Sequence, residues 1–349
     1  MRAILRRLFR FRPVLGAVLL GGLGLGIAAC SGDPYPQSTL HPSTDAGHAI
    51  DGLFRQIFWW AVLVFVVVET ALVVTVIRFR RRPERGEPKH VHGNTLVEIA
   101  WTLAPAVILI FIAVPTIQTI FRTDGSVPED ALQVEVIGHQ WWWEFRYPEL
   151  NVVTANELHL PQGRPVQLVM SSADVIHSFW VPKLHGKRDA IPGRTTRLAF
   201  TADSVGTLLG QCAEFCGESH ANMRMRVMID APADFDSWVE RQQLVTPTDT
   251  TQPLLVTGEE AFRKIRTPAN HSCVACHTIA GVSAGVLGPD LSHVGGRTTV
   301  AAGILPNDAE GMARWLRDPP AEKPGSKMPK IDLTAEEIAA LVAYLRNKN

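Results

Sequence analysis

Soft metal donors are concentrated in one short segment of this 349-residue chain. Residues 210–223 read GQCAEFCGESHANM, which places two thiols, one imidazole and one thioether between Cys212 and Met223. A second imidazole, that of His177, lies 35 residues before Cys212. Sulfur and imidazole donors together favour copper over the cations that prefer oxygen, and a methionine donor argues against zinc. The segment therefore predicts a copper site.

Two simpler interpretations of the same residues remain open. A Cys-x3-Cys pair in an exported domain can form a disulfide, and closely spaced cysteines and histidines often bind structural zinc. Copper is favoured because Met223 and His177 extend the donor set in the direction that copper prefers.

A second motif with redox chemistry lies near the C terminus. Residues 273–277 read CVACH, the attachment pattern for c-type haem, in which two thiols add to the vinyl groups and His277 binds the iron. Zinc sites and redox pairs share the C-x-x-C spacing, so the motif alone is ambiguous. Met328, in the stretch KPGSKMP at 323–329, offers a sixth ligand, and Met312 is its rival. Ligation by histidine and methionine raises the reduction potential, which suits an electron carrier.

The elements that must position these motifs begin with a membrane anchor. Residues 1–29 carry five arginines before an apolar run that ends at Cys30, the layout of a signal peptide whose end resembles a bacterial lipobox. We expect cleavage before Cys30 and lipidation of its sulfur; an uncleaved membrane helix is the alternative.

Two apolar segments, near residues 57–77 and 99–120, are each long enough to cross a bilayer. They predict a transmembrane hairpin over 50–122. The basic cluster at 78–85 belongs on the cytoplasmic side of the membrane. Everything beyond residue 122 is therefore expected on the periplasmic side.

Hydrophobic periodicity divides the remainder into two domains. Over 128–240, short runs of alternating apolar residues between turns predict an antiparallel sandwich or barrel. Residues 241–254 are polar, contain two prolines and read as a linker. Helical signals dominate 255–349, and a capping box at Thr334 predicts a terminal helix that packs across the helix containing Phe262. The net charge of zero gives no support for nucleic-acid binding.

The copper segment and its upstream histidine resemble subunit II of haem–copper oxidases. That family has the pattern C-x-E-x-C-G-x-x-H-x-x-M and an upstream D-V-x-H-S-F-x-V-P, and residues 212–223 and 174–182 match both. The resemblance implies an all-β cupredoxin Greek-key domain with a binuclear copper centre, CuA. Its implied ligands are His177, Cys212, Cys216, His220, Met223 and the backbone carbonyl of Glu214. The side chain of Glu214 is implied to help hold magnesium at the boundary with subunit I.

Two further residues take roles only through this resemblance. Residues 138–147, GHQWWWEFRY, resemble the aromatic motif of the family, which implies that Trp141 receives electrons from cytochrome c. Trp142 occupies a place usually held by tyrosine. Three consecutive tryptophans on a strand require at least one ring to face outward. Residues 98–105, EIAWTLAP, resemble the second membrane helix, which implies that Glu98 stands at the mouth of a proton pathway into subunit I. The simpler interpretation of Glu98 is an interfacial carboxylate near a helix N terminus.

The C-terminal motifs are similar to small class I cytochromes, which are all-α. Residues 288–291, GPDL, match the segment whose proline carbonyl orients the haem histidine. The resemblance implies covalent haem c on Cys273, Cys276, His277 and Met328. The linker motivates the hypothesis that this domain docks over Trp141.

The whole chain resembles subunit II of a caa3-type cytochrome c oxidase. The resemblance implies a two-pass protein of the bacterial inner membrane, partnered by subunits I and III. It would pass electrons from a cytochrome c-type donor, via haem c and CuA, to the oxygen-reducing subunit I of a proton-pumping oxidoreductase. The alternatives are a CuA-bearing subunit of a nitric oxide reductase and a copper-free quinol oxidase subunit.

Overall fold

The structure is a computed structural model that describes residues 35–80, 92–124, 127–264 and 272–349. The predicted signal peptide, Cys30 and most of the basic cluster lie outside the described residues.

Two long apolar helices precede the folded domains. Helix α1 (Asp45–Phe79) has 35 residues and α2 (Thr95–Thr123) has 29. At about 1.5 Å per residue they extend about 52 and 44 Å, more than the ~30 Å hydrocarbon core of a bilayer. Their most apolar stretches are not buried inside the protein. Both helices therefore present apolar surface outward, as a membrane anchor requires.

In the described part of the chain, ten strands form two five-stranded sheets after the helices. They are β1 (Leu132–His139), β2 (Trp142–Tyr147), β3 (Val152–Ala155), β4 (Glu157–Pro161), β5 (Pro165–Ser172), β6 (His177–Trp180), β7 (Arg188–Ala190), β8 (Thr196–Thr201), β9 (Gly206–Cys212) and β10 (Arg224–Asp230). One sheet has the order β3-β2-β1-β5-β8 and the other β4-β10-β9-β6-β7. Apolar side chains buried from both sheets form one core between them.

The predicted two-sheet sandwich is confirmed, but both sheets are mixed, so the predicted antiparallel pairing is wrong for two strand pairs. Strand β1 pairs in parallel with β5, and β4 pairs in parallel with β10. Along β1, Leu132, Val134 and Val136 are fully buried, as their alternation predicts. Side chains alternate in the same way in either pairing, and parallel neighbours need only a longer connection. Alternation therefore carries no information about strand direction.

A helix and a short connection lead from this domain to the next. Helix α3 (Pro232–Gln243) buries Phe235, Trp238 and Val239, and α4 (Pro253–Arg263) begins ten residues after its end. The segment between the helices, 244–252, is shorter than the predicted linker because both helices extend into it.

The C-terminal domain is built from helices around a small core. They are α4, α5 (Cys273–Cys276), α6 (Ala309–Arg317), α7 (Pro319–Glu322) and α8 (Ala335–Arg346), with short strands β11 (Thr278–Ile279), β12 (Ser283–Ala284), β13 (Thr299–Val300) and β14 (Leu305–Pro306). The predicted terminal helix is confirmed as α8, and Thr334 and Glu337 form its capping box. It packs across α4 as predicted, with the rings of Phe262 and Tyr344 6.0 Å apart.

Candidate metal and haem sites

Two thiols and an imidazole meet at one edge of the second sheet. His177, Cys212 and Cys216 are buried, and each places one donor atom within 4.8 Å of the others. The two sulfur atoms are 3.8 Å apart, far beyond the S–S bond of about 2.05 Å. Two sulfurs that share a metal at about 2.3 Å each can lie up to about 4.6 Å apart. The spacing fits thiolates that share a metal and does not fit a disulfide.

Further donors lie on either side of the thiol pair. The Nδ1 atom of His220 is 3.6 Å from Cys216 Sγ, and the Sδ atom of Met223 is 3.9 Å from the same sulfur. On the other side, His177 Nδ1 is 3.9 Å from Cys212 Sγ. The donors therefore run from one imidazole through two thiols to a second imidazole.

Strand pairing explains how distant residues reach this edge. Strands β6 and β9 pair with Phe179 opposite Cys212, which brings His177 beside the end of β9. The backbone amide of Cys212 donates to the carbonyl of Met223 at 2.9 Å, which closes the loop that carries the other donors. The sequence places four side-chain donors in one loop, and the sheet adds the fifth, His177.

Hydrogen bonds from neighbouring residues orient one donor and lower the pKa of another. His177 Nε2 lies 2.8 Å from Asp174 Oδ1, which turns Nδ1 toward Cys212. The hydrogen bond with Cys216 lowers the pKa of Cys212, and burial opposes this. The lowered pKa favours the thiolate, the form that binds metals.

Glu214 contributes its backbone to this cluster. Its carbonyl oxygen is 3.2 Å from Cys212 Sγ, while its side chain is half-buried. Nothing in the structure tests the magnesium role of that carboxylate, which stays a prediction.

The ring of Trp141 contacts the backbone of the loop that carries the two thiols. Its Nε1 donates to the carbonyl oxygen of Cys216 at 3.0 Å, and the side chain of Gln140 donates to the same oxygen at 2.7 Å. Trp141 and Trp143 are buried, whereas Trp142 lies on the opposite face of β2 from Trp143 and is half-buried, so Trp142 is the ring that faces outward. A Cβ atom at Gly325 would lie 3.1 Å from the Trp141 ring, so the C-terminal domain covers it.

The C-x-x-C-H motif borders a cavity of about 680 Å³. Cys273, Cys276 and His277 line it, and so do both candidate methionines, Met312 and Met328. This volume is in the range of small-molecule and cofactor sites. The cavity extends to the other domain, where Trp141 and Trp142 form part of its wall.

Backbone contacts orient the ring of His277. Its Nδ1 lies 2.8 Å from the carbonyl oxygen of Pro289, the partner expected from the sequence. Burial lowers the pKa of the ring, which keeps the imidazole neutral and able to bind a metal through Nε2. A Cβ atom on Gly288 would lie 2.6 Å from the same ring, so only glycine fits there.

Sequence reasoning missed two cations beside this cavity. Arg297 lines it, and its Nε atom is buried without a hydrogen-bond partner among the described residues. Lys323 is 4% exposed, and its Nζ donates to the carbonyl of Trp141 at 2.5 Å. Burial lowers the pKa of Lys323 to about 7. Basic residues in glycine- and proline-rich loops look solvent-exposed in a sequence, which is why neither was singled out.

Glu98 lies apart from both sites, exposed in the first turn of α2. The side chain of Asn94 caps this helix by accepting from the amides of Leu96 and Val97. A carboxylate in a first turn is favourable to any helix, so the proton-pathway role of Glu98 stays a prediction.

Comparisons with known proteins match all three regions. The transmembrane domain of cytochrome c oxidase subunit II matches residues 37–119, its periplasmic domain matches 151–231, and the cytochrome c family matches 257–349. Cytochrome c oxidase subunit 2 of Alkalihalophilus pseudofirmus is 35% identical over 337 residues, covering 94% of this chain and 95% of that one. The Bacillus subtilis protein of the same name is 33% identical over 356 residues, covering 94% and 96%. Quinol oxidase subunit 2 of Bacillus anthracis is 33% identical over 217 residues, covering 60% and 74%.

Proposed function

This chain belongs to the cytochrome c oxidase subunit II family, and we propose that it holds a binuclear copper centre and a covalent haem c that deliver electrons to an oxygen-reducing subunit. It is a membrane-anchored part of an oxidoreductase complex with an outward-facing domain. Two relatives that match more than nine-tenths of both chains are cytochrome c oxidase subunits. They favour this function over the nitric oxide reductase and quinol oxidase alternatives.

The order of donors supports the copper pair. His177 and His220 lie at opposite ends of a run whose middle is the two thiols, 3.8 Å apart. Each histidine would bind one metal, and Cys212 and Cys216 would bind both. Met223 and the Glu214 carbonyl would supply weaker contacts. A copper pair held by these residues would supply one-electron transfer.

The cavity supports a haem c held by the C-terminal domain. Cys273 and Cys276 would form the thioether bonds and His277 would bind the iron through Nε2. Met328, half-buried in its loop against the C-terminal core, would be the sixth ligand. The partly unpaired guanidinium of Arg297 would bind a haem carboxylate, because a buried cation is stabilised by an anion. Haem supplies one-electron transfer at the domain interface.

Trp141 would be the aromatic contact between the two sites. Its ring forms part of the cavity wall on one side and donates to the Cys216 carbonyl on the other. This is the observation that carries the proposal that the attached haem domain delivers electrons through this face. An external cytochrome c would then reduce the haem domain and would have no access to Trp141.

The assembly follows from the family. We infer association with oxidase subunits I and III in the bacterial inner membrane, with magnesium at the subunit I boundary and Glu98 at a proton-pathway entrance. In that arrangement both membrane helices would be covered by lipid and by subunit I, which accounts for apolar side chains exposed along their length.

Metal analysis and spectroscopy of the purified complex test the copper proposal. Two copper ions per chain and the signal of one electron shared by both are expected. Met223→Leu should alter that signal, whereas Met225→Leu is a matched control because Met225 is equally buried on the neighbouring strand. One localised Cu(II), or zinc alone, would refute the proposal.

A haem stain on a denaturing gel tests the second cofactor. Covalent haem should migrate with this chain and should be lost in Cys276→Ala. Oxygen uptake driven by a reduced cytochrome c would establish the acceptor, and consumption of nitric oxide without oxygen uptake would contradict it.

A further inference from the structure

A buried carboxylate of the copper-binding domain is held by a loop of the C-terminal domain. Glu157, the first residue of β4, is 2% exposed. Its Oε1 accepts from the backbone amides of Thr298 and Thr299 at 3.0 and 2.8 Å, and from their hydroxyls at 2.7 and 2.8 Å. Its Oε2 accepts from the Thr298 amide at 2.9 Å. A carboxylate can be buried only when such donors replace water, and here the other domain provides them.

The neighbouring strand binds the same loop. Arg226 lies opposite Glu157 in the pairing of β10 with β4, and its Nη1 donates to the Thr298 hydroxyl at 3.0 Å. Thr298 is therefore bound by a carboxylate and a guanidinium from adjacent strands. Hydrogen bonds to charged groups are the stronger ones.

This contact continues along the loop to Trp141. The amide of Arg224 donates to the carbonyl of Ala302 at 3.2 Å, and Lys323 Nζ lies 3.4 Å from the Ala301 carbonyl while it donates to Trp141. Ala301 and Ala302 lie in the turn that joins β13 to β14 and have φ of 56° and 61°, a left-handed conformation. The turn of this β-hairpin therefore makes the contacts with the other domain.

The covalent connection cannot fix this arrangement. Its segment 244–252 has nine residues between helices, and Thr246 and Thr248 within it are hydrogen-bonded to the C-terminal domain, so the segment is attached to that domain. A displacement of a few ångströms would separate the cavity wall from the Trp141 ring. Specific contacts between the two domains must therefore fix their relative position.

We propose that Glu157 is a positioning residue that latches the haem domain onto the copper domain, in the relative position that puts the cavity against Trp141. The inference rests on the proposed function, because it concerns how the two proposed cofactor sites are aligned. The latch consists of Glu157 with Thr298 and Thr299.

Hydrogen exchange of the whole complex tests the latch directly. The amides of Thr298 and Thr299 should be protected in the unmodified complex and should exchange at least about tenfold faster in Glu157→Ala, since hydrogen bonds to a charged acceptor are lost. Glu157→Gln should lie between the two, because an amide oxygen can still accept at the Oε1 position. Glu240→Gln is the control, since this glutamate is exposed on α3.

Photoreduction of the haem followed by optical detection at the copper site gives a second measurement. Glu157→Ala should slow transfer between the sites and leave the haem and copper spectra unchanged. Transfer at the original rate with both spectra intact would overturn the latch.

Rapid exchange of the Thr298 and Thr299 amides in the unmodified complex would also overturn the latch, and this holds even if Glu157→Ala does not fold. If the unmodified complex lacks copper or haem, the proposed function fails, while the exchange measurement still decides the latch.

Discussion

We predict that Lys323 makes docking of the cupredoxin-like and cytochrome c domains depend on pH. It is 4% exposed between them and donates to the carbonyl of Trp141. Burial lowers its pKa from the ordinary 10.5 to about 7. If the domains separate, the amine returns to water and regains a pKa near 10.5.

The direction of the pH dependence follows from the number of protons that the docked and the separated forms bind. Between pH 7 and about 10.5, the separated form binds one proton at Lys323 and the docked form does not. Docking therefore becomes more favourable as pH rises through this window, by about tenfold or about 1.4 kcal/mol per pH unit. Over the whole window the effect reaches about 5 kcal/mol. Below pH 7 both forms are protonated, and the dependence disappears.

Lys323→Met removes this proton and keeps a long side chain. Hydrogen exchange at Thr298 and Thr299, corrected for intrinsic exchange rates, should show protection rising about 50-fold from pH 7 to 9 in the unmodified complex. The variant should show little rise, and at pH 6.5 it should dock more tightly, because it has no charge to desolvate. Lys330→Met is the control, because the Lys330 side chain is 59% exposed. An equal slope in Lys323→Met and the unmodified complex would refute the reasoning.

Three further predictions concern single side chains. Trp141→Phe removes the 3.0 Å bond to the Cys216 carbonyl and should slow haem-to-copper transfer severalfold; rapid kinetics at the original rate would exclude an obligatory route through this ring. Gly288→Ala places a Cβ 2.6 Å from the His277 ring and should impair haem attachment, measured as haem per chain, whereas Gly296→Ala has open space and should not. Glu98→Ala should lower oxygen turnover if the carboxylate admits protons, and unchanged turnover would remove that role.

Local patterns gave the fold classes and most of the candidate ligands. Cys212, Cys216, His220 and Met223 are close in sequence, so one loop can gather them whatever the rest of the fold does. The capping box at Thr334 is equally local, and the structure confirms it. The alternation of apolar residues predicted strands but could not give their directions, because parallel and antiparallel strands alternate alike.

The sequence by itself determined which atoms could bind metal and haem, since donor chemistry and short spacings are properties of the chain. Only the tertiary structure decided what surrounds them. Trp141 is buried because a segment about 180 residues later covers it, and Glu157 meets its donors 141 residues away. Burial and long-range hydrogen bonds depend on which surfaces meet after folding, and that information has no local signature in the sequence.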